Sequence, residues 1–211
     1  MSAPLSGENL TCIRGDRRVF SRLDFAVHDG GALLLTGRNG SGKTSLLRLM
    51  AGLGVPVEGS IRYRGVDYRD ASAAHRADIH YVGHYDAVKP ALTVRENLAF
   101  WVALHGGGNT EAGLEAFDLA ALAELPARFL SAGQKRRLAL ARLVALDASI
   151  WLLDEPSVAL DAASLDALQG LIAEHKGHGG AVVASTHADL GLADASTLDV
   201  SQFSPNRQPE T

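Results

Sequence analysis

The chain contains one cysteine, Cys12, so an internal disulfide is impossible and a packed core has to hold the fold. Cys12 lies in an alternating segment that reads as a strand, where a lone thiol acts as a small buried hydrophobe, and this points to a reducing compartment. Also missing is any run of the ~18 consecutive apolar residues that a membrane-crossing helix requires. The richest stretch, residues 138–153, is interrupted by Arg142 and Asp147, so direct insertion into a bilayer is not expected. The first eight residues carry neither the basic cluster nor the apolar block of a secretory signal, and the chain is expected to remain where it is made. Positive charge is not in excess: a formal net charge of -4 and a pI near 6.0 give no electrostatic grip on nucleic acid. Arg62, Arg64, Arg69 and Arg76 do cluster. Acidic residues are interspersed among them, however, and no aromatic series accompanies them, so they read as a solvated face. Internal repeats, low-complexity tracts and Pro/Gly/Ser linkers are absent too, which leaves one folded body over residues 1–211.

What is present is enough apolar residue, 46% of 211, to bury a sizeable core. Residues 5–28 alternate, with Leu23, Phe25 and Val27 on one face and Arg22, Asp24 and His28 off it; residues 59–68 behave likewise, and both read as antiparallel strands. Residues 32–36, 150–153 and 181–185 are instead short continuous apolar runs, the pattern of parallel strands covered by helices on both faces. Helical patterns occupy residues 43–51, part of 93–123, 132–146 and 164–175. The alternation predicts an α/β architecture. Residues 204–211 hold two prolines and no apolar anchor and read as a disordered tail.

Gly37-Arg38-Asn39-Gly40-Ser41-Gly42-Lys43-Thr44 satisfies G-x-x-x-x-G-K-[ST], follows an apolar strand and opens a helix. Glycines let successive backbone N–H groups converge on phosphate oxygens, and the helix start adds partial positive charge. Lys43 then neutralises the outer phosphates, and the Thr44 hydroxyl is placed to hold Mg²⁺. Ser131-x-x-Gln134 is a capping box, which starts a helix and also leaves N–H groups and positive dipole facing an anion. Asp154 and Glu155 stand at the end of an apolar strand, where ligands of parallel sheets bind. His80 and His84 are four apart, but residues 79–82 read as a strand, so the two are not a one-face helical metal pair.

Together these motifs resemble the ABC ATPases. Leu130-Ser131-Ala132-Gly133-Gln134 is similar to the family's signature sequence, 23 residues before Asp154 as counted from Ser131. The resemblance implies a P-loop NTPase of ABC type, with a mostly parallel sheet, an antiparallel β subdomain and a small helical subdomain over about residues 85–127. It implies ATP and Mg²⁺ as ligands, with the nucleotide on residues 37–45, Ser45 included. Asp154 then binds Mg²⁺ through water, Glu155 polarises the attacking water, His187 contacts the γ-phosphate, and Asp161, in Ala159-Leu160-Asp161, communicates across a homodimer. The signature segment acts on the opposite subunit's nucleotide.

Two positions depart from the family pattern. Arg14 stands where an aromatic residue usually stacks on adenine, and its guanidinium plane is expected to bind the nucleotide by stacking there. His84 stands where a glutamine usually approaches the γ-phosphate, and it is expected to act in catalysis by hydrogen-bonding the attacking water or approaching Mg²⁺. Gly83-His84, Lys89, Leu92-Thr93, Glu96-Asn97-Leu98, Cys12-x-Arg14-Gly15 and Thr44-Ser45-Leu46-Leu47-Arg48 resemble the ATP-binding subunits of cytochrome c biogenesis haem exporters. That implies a pair of ATP-hydrolysing subunits at the cytoplasmic face of the inner membrane, bound to separate integral membrane permease subunits and powering either haem export or release of a haem-loaded chaperone. The alternatives are the ATPase of another small-substrate exporter, or a nucleotide-gated regulator with little hydrolysis, which intact Glu155 and His187 argue against.

Overall fold

The computed structural model describes residues 4–71 and 77–205. The first strands, β1 (Leu5–Arg14) and β2 (Arg17–Val27), form an antiparallel hairpin, and β4 (Glu58–Tyr63) and β5 (Val66–Asp67) extend it to a four-stranded sheet in the order β2-β1-β4-β5. The alternation in β2 matches its burial: Leu23, Phe25 and Val27 are inside, Arg22 and Asp24 outside.

The second sheet is parallel throughout. It contains β3 (Ala32–Thr36), β6 (Ile79–Val82), β7 (Ile150–Asp154), β8 (Ala181–Ser185) and β9 (Ser196–Asp199) in the order β6-β7-β8-β3-β9. Continuous apolar runs follow from this placement, because each strand feeds two cores. Ile150 and Leu152 point into one cluster with the antiparallel sheet and helix α1 (Lys43–Met50). Trp151 and Leu153 point into the other, with α4 (Ala132–Ala145) and α5 (Ala162–Gly177). Between β6 and α4 lie α2 (Val94–Leu104), α3 (Thr110–Ala116) and 3-10 turns at Ala120–Leu122 and Ala127–Phe129. A capping box at Thr93 and Glu96 starts α2. Buried Asn97 ties down the preceding loop, accepting from the Lys89 amide at 2.7 Å and donating to the carbonyls of Lys89, Leu92 and Thr93.

β9 was not anticipated. Ser-Thr-Leu-Asp shows neither an apolar run nor clear alternation, and its extended form comes from pairing with β3. Two arginines of the Arg62–Arg76 cluster have acidic partners: Arg69 makes two contacts to the Asp67 carboxylate and Arg64 lies near Asp29 and Asp78, while Arg76 is outside the described residues. Of the expected tail, residues 206–211 are likewise outside them. Among the described residues no helix is long and apolar enough to cross a membrane.

His80 is buried beneath His105, rings 5.6 Å apart, near Arg142, whose guanidinium lies 4.7 Å from the Trp101 ring centre. Burial first, then the Arg142 charge and His105, hold its imidazole well below the usual range. His175, stacked on Trp151 at 3.8 Å, is displaced in the same direction by burial. An unfolded chain protonates these rings near ~6.5 and the folded one resists, so the unfolded state binds more protons and stability falls as pH drops through that value. Wild-type stability is expected to decline by up to ~1.4 kcal/mol per pH unit per ring below about pH 6.5. His80→Asn should lower stability at neutral pH yet flatten that decline; urea unfolding across the range measures both, and an unchanged slope would mean that His80 is not the group titrating.

Candidate functional site

β3 delivers the chain to the carboxyl edge of the parallel sheet, and the next eight residues, 37–44, turn tightly into α1. Gly37, Gly40 and Gly42 have φ of 122°, 78° and 111°, the region that side chains disfavour. Gly42 has a second constraint: a Cβ there would sit 2.6 Å from Val19 Cγ1. It is the N-cap of α1 and offers no side-chain cap, so the helix start is left to a ligand. Lys43 Nζ folds over the loop, donating to the Gly37 carbonyl at 2.7 Å and the Arg38 carbonyl at 3.4 Å. From behind, the Arg38 amide donates to Ser201 Oγ at 3.0 Å, and Ser204 Oγ donates to the Ser41 carbonyl at 3.4 Å. The 3-10 turn Val200–Phe203 after β9 therefore buttresses the cradle. The sequence pattern gave no hint of it.

β7 ends two strands away, and the Asp154↔Ser185 and Leu35↔Ser185 pairings bring the strand ends level. Asp154 is 2% exposed, and its Oδ1 accepts from Thr44 Oγ1 at 3.1 Å. Its Oδ2 accepts from the Tyr81 phenol at 3.3 Å; burial, reinforced by the Asp154 charge, pushes the Tyr81 pKa up and keeps that proton in place. Glu155 follows with φ 49°, its amide donating to the Ser185 carbonyl at 2.7 Å and its Oε1 3.7 Å from Nε2 of exposed His187.

A cavity of about 420 Å³ opens over these groups. Asn39, Gly40, Gly42, Lys43, Thr44 and Ser45 line it with Asp154, Glu155 and Ser185, and Arg14 and Arg17 face it from the β1–β2 turn. The hydroxyls of Ser41 and Ser185 are buried without a hydrogen-bond partner among the described residues. A larger hollow of about 840 Å³, near Asp78, His105 and Asp147, lies at the amino ends of β6 and β7, the edge opposite the phosphate loop. Parallel sheets bind ligands at their carboxyl ends, so the smaller cavity is the relevant one.

The remaining expected residues are elsewhere. His84 is exposed, its ring edge-on to Tyr85 at 5.5 Å, and it does not line the cavity. Leu130 is buried, while Ser131 is the exposed N-cap of α4: the Gln134 amide donates to Ser131 Oγ at 3.2 Å and the Ser131 amide to Gln134 Oε1 at 2.8 Å. Gly133 abuts Ala159, whose carbonyl oxygen would be 2.9 Å from a Cβ; Ala132 is exposed beside it. None of residues 130–134 lines the cavity of their own chain. Asp161 caps α5, accepting from the Ser164 amide at 2.9 Å, and hydrogen bonding from the Ser164 side chain first, then from this amide, holds its carboxyl below the usual range. Tyr81, Arg17 and Arg136 were not anticipated. For Arg136 a signal existed: it shares the helical spacing of Leu140 and Leu143, an arginine set in an apolar stripe.

Residues 20–158, more than half of the chain, match the family model described as ABC transporter. The chain is 52% identical to the cytochrome c biogenesis ATP-binding export protein CcmA of Rhodospirillum rubrum, over 97% of this chain and 88% of the relative. It is 50% identical to the protein of the same name from Paramagnetospirillum magneticum, over 94% of both. Among solved structures it superposes on an ATP-binding subunit of an ABC transporter with a TM-score of 0.84 at 22% identity, covering 94% of this chain and 87% of that one. The dimeric post-hydrolysis state of the cassette MJ0796, bound to ADP and Pi, superposes with a TM-score of 0.80 at 24% identity, over 93% and 95% of the two chains.

Gly42→Ala adds both backbone strain and the Val19 contact, and is expected to cost about 1–2 kcal/mol in stability and to abolish binding of a fluorescent ATP analogue. Gly179→Ala, also at positive φ but in open space, is the control: it should cost strain and leave nucleotide binding intact.

Proposed function

This chain belongs to the ABC transporter family, and from that premise we propose that it is the ATP-hydrolysing subunit of a transporter of cytochrome c biogenesis, acting as a pair of identical chains. One observation carries the reading. The phosphate loop, Thr44, Asp154 and Glu155 share one cavity, whereas the capped helix start at Ser131 does not line it. A helix start of that kind suits a phosphate it does not meet within its own chain, and a twofold pair supplies each cavity with its neighbour's.

The geometry supports the following roles. Backbone N–H groups of the loop from Asn39 to Thr44 face the phosphates, and Lys43 exchanges the Gly37 and Arg38 carbonyls for phosphate oxygens. Thr44 and Asp154 fit Mg²⁺: both are hard oxygen donors, and no ion pair among the described residues neutralises the buried Asp154 carboxylate. When bound, the ion neutralises charge on the phosphates. Glu155, next along the chain and partly exposed, orients and polarises the attacking water, and His187 beside it contacts the transferred phosphate. Arg14 supplies a guanidinium plane for the base. Binding of ATP closes the pair, with Asp161 at the contact between copies, and hydrolysis reopens it.

The region between residues 85 and 127 would receive integral membrane subunits at the cytoplasmic face, with Tyr85, Phe100 and Leu104 among the exposed large side chains available there. The haem-related role rests on the high identity to proteins named for cytochrome c biogenesis export over nearly the whole chain.

Glu155→Gln is expected to bind Mg-ATP with near-native affinity, to lose phosphate release by two orders of magnitude or more (~10²-fold), and to elute as a stable dimer. A variant that stays monomeric at saturating Mg-ATP would refute the paired site. Deleting the gene should remove covalently haem-bearing c-type cytochromes and spare b-type ones; retention of both would refute the cytochrome role and leave the ATPase reading standing.

A further inference from the structure

We infer that Arg136 is a positioning residue that sets the conformation of Glu155 and ties it to the helix offered to the second copy. The inference rests on the ATPase reading above. Glu155 holds φ 49° and Ala159, four residues on, holds φ 64°. Such backbone persists in residues with a Cβ only where surrounding contacts over-determine it. Around Glu155 those contacts come mainly from one side chain. Nη2 of Arg136 donates to the Glu155 carbonyl at 2.7 Å and the Asp154 carbonyl at 3.1 Å, and Nε donates to the Pro156 carbonyl at 3.1 Å. Three consecutive carbonyls thus rest on one planar fork.

The other arm reaches a different loop. Nη1 donates to the Gly83 carbonyl at 2.8 Å and to Asp86 Oδ1 at 3.1 Å, so the fork also fixes the segment that carries His84. Guanidinium has five N–H donors in fixed directions, and five acceptors surround it here. Lysine offers three rotatable donors on a point charge and cannot reproduce the plane. With its side chain only 4% exposed, Arg136 has no role in solubility, and its burial without this full set of partners would be costly.

The position on α4 gives the arrangement its meaning. Arg136 lies five residues after Ser131, on the same rigid helix, and Gly133 of that helix touches the Ala159 carbonyl. A shift of the helix start, where the second copy's phosphate docks, therefore moves the fork that holds the backbone of Glu155. Completion of one site is mechanically linked to the aim of the carboxylate in the other.

The test uses the full-length chain with its membrane subunits, comparing wild type, Arg136→Lys, Glu155→Gln and the double variant. Arg136→Lys is expected to lose roughly tenfold or more in kcat while KM and the affinity for a fluorescent ATP analogue change by less than about threefold. If Arg136 acts through Glu155, adding Arg136→Lys to Glu155→Gln should lower the residual single-turnover rate by less than about twofold. Wild-type kcat in Arg136→Lys, equal losses in kcat and affinity, or full multiplication in the double variant would each overturn the inference and leave the ATPase reading intact. Should Arg136→Lys fail to fold, Asp86→Ala removes a single anchor: a fall of about two- to fivefold in kcat at unchanged KM supports the inference and a wild-type kcat overturns it. Absence of phosphate release from the wild-type complex would instead sink the ATPase reading, and this inference with it.

Discussion

The parallel ladder β7-β8-β3 is the constraint from which the site derives. Backbone hydrogen bonds place Asp154 opposite Ser185 and Leu35 opposite the same serine, so the two chain segments that handle phosphate leave the sheet at one level. The ladder is buried on both faces, Ile150 and Leu152 toward α1 and Trp151 and Leu153 toward α4 and α5, and neither face can slip without exposing the other. That rigidity lets a 3.1 Å contact between Thr44 and Asp154 be specified by residues 110 positions apart.

Around this ladder, groups that serve stability and groups that serve chemistry are often the same groups. Ser131 and Gln134 cap α4 in the ordinary way, yet the cap is also the surface a neighbouring phosphate would meet. Asp161 caps α5 while lying in the segment proposed to touch the second copy. Gly42 relieves a steric conflict with Val19 and at the same time leaves the α1 start without a side chain of its own. Economy of this sort explains why single motifs were ambiguous when read alone and clear only in sequence with one another.

Much of the fold was legible because hydrophobic pattern is a local property. Continuous apolar runs marked β3, β7 and β8, alternation marked β2, and the spacing around Gly37–Thr44 located the cradle before any coordinates. What escaped depends on distant neighbours. β9 is a strand because β3 has an unpaired edge, Ser201 matters because the Arg38 amide faces it, and Arg136 is visible in the sequence only as an arginine out of place in an apolar stripe. His84, which the family pattern singles out, has its ring edge-on to Tyr85 and does not line the cavity of its own chain.

The strand that carries the cradle also sets the order in which the chain can mature. β3 finds its hydrogen-bonding partners in β8 and β9, with Leu33 opposite Val183 and Ser196, about 150 residues further along. While the chain is being synthesised, residues 32–36 must wait for that distant stretch with neither backbone edge paired to a strand, their N–H and C=O groups hydrogen-bonded to water meanwhile. Loop closure over such a span is slow compared with helix formation, so the phosphate cradle should be among the last parts of the molecule to set.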